Sequence, residues 1–252
     1  MLLKLLLAPC LLWQGWRVRR RTPRLPEADG PRAGWVPAAR PLSRPPLGLW
    51  VVGDSSAAGV GVSHQHLALA EPLARQLAQR LGRPVAWRLH ARSGVTAGEA
   101  LGLMDGADLS VHPTVLVTVL GVNDVLAGTR PGQWLADLDA LVARAQQLAP
   151  VRAVLHAGVP PMHRFHALPQ PLRWVLGREA MRLDRVLAKH VQTMPGRAHQ
   201  PADSTATSGD SAGWLALDGF HPGAQAFHLW AAQLAEAIAQ VWPAEAGVCE
   251  PP

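Results

Sequence analysis

From position 47 onward, short, mainly apolar runs alternate with longer stretches whose apolar residues recur every three or four positions. The runs are 47–52 (LGLWVV), 84–90, 114–120 (TVLVTVL) and 151–159. Continuous apolar runs rich in β-branched residues predict strands buried on both faces. Between them, Leu69, Leu73, Leu77 and Leu81 fall at i, i+4 spacing and predict a helix over 67–81. A short helix is predicted over 96–104. Leu135, Leu138, Leu141, Val142 and Leu148 predict a helix over 133–148, and a long Arg- and Leu-rich one follows over 172–191. Pro222 opens a last helix over 223–241. This alternation predicts an α/β fold: a three-layer α/β/α sandwich around a central parallel sheet of about five strands. The last strand has no apolar run to mark it, because 195–217 is polar and turn-rich.

The first 46 residues break the pattern. Residues 1–16 are mostly apolar, and Arg17, Arg19, Arg20 and Arg21 follow within five positions. A secretory signal carries its charge before the apolar run and a small-residue cleavage site after it; here the order is reversed. Sixteen helical residues span roughly 24 Å, short of a hydrocarbon core of roughly 30 Å. We read residues 1–24 as a short interfacial anchor for an anionic membrane, with a disordered tail as the alternative. Residues 22–46, rich in Pro, Arg, Ala and Gly, read as linker. The expected organisation is therefore an extension over 1–46, one domain over 47–242 and a tail over 243–252. The location expected is cytoplasmic with peripheral membrane contact, secretion being left open.

Charge follows the same division. Of the net +6, residues 1–50 hold nine Lys/Arg and two Asp/Glu and carry +7; the remainder carries −1. A near-neutral domain does not offer the basic face that nucleic-acid binding requires. The two cysteines, Cys10 and Cys249, lie near opposite ends and form no metal-finger or CxxC spacing. Nothing in the sequence fixes the oligomeric state.

The chemistry sits at the carboxyl ends of the predicted strands, where open α/β sheets bind ligands. Gly53-Asp54-Ser55-Ser56-Ala57-Ala58 follows the first strand. A serine hydroxyl becomes a nucleophile when a base takes its proton, and a carboxylate commonly orients that base. Asp218-Gly219-Phe220-His221-Pro222 can supply both groups from one loop. Asn123, in Gly121-Val122-Asn123-Asp124 after the TVLVTVL strand, can donate a side-chain N–H to an oxyanion. Gly94, in Ser93-Gly94-Val95-Thr96 after the second strand, can bring its backbone N–H close to a ligand. Ser56 reads as a cap for a following helix. Met162, Phe165 and Leu168 are candidate acyl-pocket residues, with a loop packed on the core as the alternative. Residue 57 is alanine, so no G-x-S-x-G elbow exists, and neither G-x-G-x-x-G nor a phosphate-binding G-x-x-x-x-G-K-[ST] is present. His163 and His166 find no obvious carboxylate to complete a metal set.

The four segments GDSSAAG, SGVTAG, GVND and DGFHP stand in the order and context of the SGNH (GDSL-type) hydrolases, which the chain resembles over 47–241. The resemblance implies a flavodoxin-like sandwich and a serine esterase acting on carboxylic esters: acyl lipids, small acyl esters or acetylated sugars. It implies Ser55 as nucleophile, His221 as base, Asp218 as its orienter, and an oxyanion hole of the Ser55 and Gly94 N–H groups with the Asn123 side chain. No metal or cofactor is called for. An acyltransferase using the same site, and a catalytically silent membrane-surface binding module, remain the alternatives.

Overall fold

The computed structural model describes residues 2–38, 45–105, 112–202 and 214–242. The tail at 243–252 with Cys249, and residues 203–213 of the polar stretch, lie outside the described residues.

Six strands form one sheet: β1 (Ala33–Val36), β2 (Leu47–Gly53), β3 (Val85–Ala91), β4 (Val115–Val119), β5 (Ala153–Ala157) and β6 (Arg197–Gln200), in spatial order β1-β3-β2-β4-β5-β6. Strands β2 to β6 are mutually parallel. Numbered among themselves they run 2-1-3-4-5, the flavodoxin-like order. Helices α2 (Ala70–Leu81) and α7 (Ala224–Val241) pack on one face. Helices α3 (Ala97–Ala100), α5 (Pro131–Leu148) and α6 (Leu172–Val191) cover the other.

Strand β2 shows why its sequence runs apolar without alternation. Leu47, Leu49 and Val51 face the α2/α7 layer, and Trp50 and Val52 face the α5/α6 layer. Every residue of β2 is buried. Both side-chain rows lose water, so both must be apolar.

The sheet departs from the expectation of five parallel strands at one edge. Strand β1, within the segment read as linker, pairs antiparallel with β3 through Ala33–Val36 and Val85–Arg88. Four half-exposed residues with one glycine carry no apolar period, so backbone pairing makes the strand where side-chain pattern does not. Strand β6 fills the unmarked fifth position. Its four residues are only partly buried, being at the opposite edge, and two of them make polar contacts to α5 and α6.

Three smaller differences matter for the site. A short helix α4 (Val122–Ala127) follows β4, an element the sequence pattern did not predict. A string of turns over 54–62, and no helix, follows β2, so Ser56 caps none. At the N-terminus, α1 runs over Leu2–Arg21, longer than the apolar stretch alone.

Candidate active site

Strand β2 delivers Ser55 at its carboxyl end. Asp54 N–H donates to Val119 O of β4 (3.1 Å), Ser56 N–H donates to Asp54 Oδ1 (3.0 Å), and Ala58 N–H closes on Asp54 O (2.9 Å). These bonds wind the chain tightly and leave Ser55 at the turn's outer corner. Gly61 finishes the turn at φ +112°, and a Cβ there would lie 2.4 Å from Pro222 O. The turn carrying the serine thus touches the histidine loop, and only glycine permits that approach.

Asp218 and His221 come from that loop, held by Leu215 pairing with Pro222. Asp218 Oδ1 accepts the N–H groups of Phe220 (2.9 Å) and His221 (3.0 Å). Its Oδ2 lies 2.5 Å from His221 Nδ1, and His221 Nε2 lies 2.8 Å from Ser55 Oγ. Burial pushes the Asp218 carboxyl up, but the hydrogen bonds from His221 and from the two backbone N–H groups outweigh it and hold its pKa below the usual value. The three side chains form one continuous chain of hydrogen bonds across residues 166 positions apart.

The other sequence-marked groups border this chain. Gly94 adopts φ +85°, and a Cβ built on it would meet nothing within 4 Å. Among the described residues, neither the Ser55 nor the Gly94 N–H donates to a protein acceptor. Asn123, in the first turn of α4, donates through Nδ2 to Val95 O (2.9 Å) and to Asp54 Oδ2 (3.2 Å). Met162, Phe165 and Leu168 are buried in the core under α5 and α6. Phe165 meets Phe220 edge-on at 5.9 Å, so this segment borders His221 through its neighbour. A groove of about 490 Å³ between the α4–α5 loop and α6, lined by Val125, Arg130, Val175 and Glu179, does not include Ser55.

Two buried carboxylates underlie the site. Burial pushes Asp54 up to about 6, against the Ser56 N–H bond and the nearby His221. Burial likewise raises Asp124 to about 6, although both of its oxygens accept Ala97 N–H, at 3.1 and 3.3 Å. A raised folded-state pKa contributes stability that is complete below the unfolded value of 3.8 and is lost as pH rises through about 6. Relative to Asp124→Asn, the native chain should therefore lose up to about 3 kcal/mol between pH 4 and pH 7. Urea unfolding of both chains across that range measures the difference; a difference that stays flat with pH rejects it.

Other histidines on the sheet stand apart. His156 Nδ1 lies 2.7 Å from Thr118 Oγ1, and burial drives its pKa down to about 3, leaving it neutral. His199 pairs with Asp184 of α6 at 2.8 Å.

The GDSL-like lipase/acylhydrolase family model matches residues 51–229. The chain belongs to this family. The GDSL-like esterase Rv1075c of Mycobacterium tuberculosis is 29% identical over 153 residues, covering 59% of this chain and 47% of that one. The chain thus spans about half the length of that curated relative. Among solved structures, the lipase Lip_vut3 from a goat rumen metagenome superposes with a TM-score of 0.58 at 15% identity, over 76% of this chain and 97% of that one. Est24, a carbohydrate acetylesterase from Sinorhizobium meliloti, gives 0.55 at 14% identity, over 78% and 100%. The chain shares the α/β architecture of these neighbours.

Sequence reasoning missed Glu27. Its Oε1 accepts the Ser93 N–H at 2.6 Å, and its other oxygen pairs with Arg32. No local pattern signals this, because Glu27 lies in a proline-rich segment 66 positions from its partner.

Proposed function

We propose that the chain is a serine esterase that cleaves carboxylic esters through an acyl-enzyme. The observation that carries this reading is the unbroken Asp218–His221–Ser55 hydrogen-bond chain at the carboxyl end of β2. Ser55 Oγ attacks the ester carbonyl carbon while its proton passes to His221 Nε2. Asp218 keeps the ring proton on Nδ1 and stabilises the imidazolium that forms. The tetrahedral oxyanion takes hydrogen bonds from the Ser55 and Gly94 N–H groups, which have no protein acceptor among the described residues. Asn123 serves as third donor by releasing its longer contact to Asp54 Oδ2, while the 2.9 Å bond to Val95 O fixes the amide plane. The carbon–oxygen bond to the leaving alcohol then breaks, and His221 returns the proton to that alcohol. Water, deprotonated by His221, attacks the acyl-enzyme and releases the acid and Ser55.

Asn123→Ala removes the third donor and should lower kcat by about 10²–10³-fold with KM little changed. A near-normal kcat in that variant removes Asn123 from the oxyanion hole.

For the substrate we propose an acyl lipid, a small acyl ester or an acetylated sugar. The acetylated sugar, already in the set, is supported by the likeness to the carbohydrate acetylesterase Est24. A panel of p-nitrophenyl esters of increasing chain length, with an acetylated sugar beside them, ranks these by kcat/KM. Product analysis in the presence of a competing alcohol separates hydrolysis from acyl transfer, and a fluorophosphonate that fails to label the folded chain rejects the esterase reading in favour of a binding module.

A further inference from the structure

We propose that the outward faces of α1 and α6 form a docking surface for an anionic lipid bilayer. Helix α1 already uses one stripe on its own domain. Leu11, Gln14 and Val18, at i, i+3, i+7, turn inward; Leu11 and Val18 pack against the core. Gln14 donates to Gln170 O (2.6 Å) and accepts Leu172 N–H (3.1 Å) at the start of α6. The opposite stripe has no such use. Trp13 and Trp16 are 53% and 54% exposed. Trp174, two residues along α6 from the Leu172 contact to Gln14, is 41% exposed.

Each of these indoles carries an arginine four residues later. Arg17 lies over Trp13 (5.2 Å), Arg20 over Trp16 (4.5 Å) and Arg178 over Trp174 (4.9 Å). The exposed stripe of α6 continues through Met181, Arg185 and Lys189. Helix α1 has no acidic residue at all. Amphipathic indoles set beside cations suit the acyl boundary and anionic headgroups of a bilayer, and charge complementarity selects that occupant. Among the described residues no helix is long and apolar enough to cross a membrane, so the surface lies on the bilayer. The patch adjoins the 162–171 segment, whose Phe165 packs on Phe220 beside His221.

Flotation of the full chain tests this with phosphatidylcholine vesicles and with an equal mixture of phosphatidylcholine and phosphatidylglycerol. The full chain should float with the mixed vesicles, and Ser55→Ala should float equally, which separates docking from catalysis. Trp13→Ser/Trp16→Ser should lose flotation. Arg17→Glu/Arg20→Glu should weaken it by at least about fivefold per arginine. Both double variants should keep native hydrolysis of soluble p-nitrophenyl acetate, which controls for folding. Equal flotation on neutral vesicles, undiminished flotation of the tryptophan variant, or a dimer that the tryptophan variant dissolves without any vesicle binding each overturns the proposal.

A separate observation carries a second inference, which rests on Gly94 as an oxyanion donor. We infer that Glu27 is a positioning residue for that donor. Its carboxylate holds Ser93 N–H, one residue before Gly94, and pairs with Arg32, whose Nη1 donates to Ala91 O at the end of β3 (2.6 Å). Burial raises the Glu27 pKa, but the Ser93 and Arg32 bonds overcome it and hold it below the usual value, so the clamp stays charged. Glu27→Ala should lower kcat by about 10-fold or more with KM unchanged, since a displacement of about 1 Å at a reacting centre costs about 10²-fold. Glu27→Gln keeps an oxygen for Ser93 and should recover most of the loss. Equal losses in the two variants, or a lowered melting temperature with native kcat, overturn the inference. An active Ser55→Ala chain would instead overturn the esterase reading beneath it.

Discussion

Ser55→Ala should abolish hydrolysis of p-nitrophenyl acetate, lowering kcat by about 10⁶-fold, while Ser56→Ala keeps most of the activity. The two serines are adjacent, yet their surroundings separate them. Ser55 Oγ lies 2.8 Å from His221 Nε2, so its proton has an acceptor in line. Ser56 contributes its backbone N–H to Asp54 Oδ1 and its carbonyl to Gly59 N–H, both bonds of the turn itself. Removing the Ser56 hydroxyl leaves those bonds in place. Removing the Ser55 hydroxyl deletes the atom that forms the new carbon–oxygen bond. A fluorophosphonate reports the same contrast without turnover: it should label the native chain and Ser56→Ala and leave Ser55→Ala unmodified. Labelling that follows Ser56 instead would reassign the nucleophile and displace the mechanism built on Ser55.

What the sequence made legible was the part that burial enforces. The runs at β2 and β4 are apolar because both faces of a central strand are covered. Three of the site segments were legible for a related reason: those carrying Ser55, Gly94 and Asn123 each sit where such a run ends, so finding the strands located the loops, whereas Asp218 and His221 follow the polar 195–217 stretch and were marked only by their own residue types. The edges were not legible. Strand β6, Arg-Ala-His-Gln, is half-exposed and trades apolar contact for polar contacts such as His199 to Asp184. Strand β1 is recruited by backbone pairing from a segment whose composition suggests linker. Long-range polar contacts were equally hidden. The Glu27 bond to Ser93, and the Asp54 contact that engages the Asn123 amide, join residues 66 and 69 positions apart with no local period to announce them. The acyl-pocket candidates show a further gap: Met162, Phe165 and Leu168 have the right chemistry for a pocket wall and the right chemistry for a core, and they are packed as core. Apolar composition alone does not separate those two fates.

Asp218→Asn should cost about 10⁴-fold in kcat with KM unchanged, although the substitution removes only a charge and adds a proton pair. The geometry of the loop explains why so small a change is so damaging. Asp218 Oδ1 accepts two backbone N–H groups, those of Phe220 and His221, and Oδ2 accepts Nδ1–H of the His221 ring. An asparagine has one oxygen. The two backbone donors fix that oxygen at the Oδ1 position, because the amide NH₂ placed there would face donors with donors. The NH₂ group must then point at His221 Nδ1, which becomes an acceptor, and the ring proton moves to Nε2. That nitrogen now presents a proton to Ser55 Oγ in place of a lone pair, so the serine has nowhere to send its own. The side chains keep their places, the hydrogen bonds keep their number, and the base is lost through its tautomer. Steady-state kinetics with p-nitrophenyl acetate measures the effect, and a loss smaller than about tenfold would show that Asp218 does not set the proton on His221.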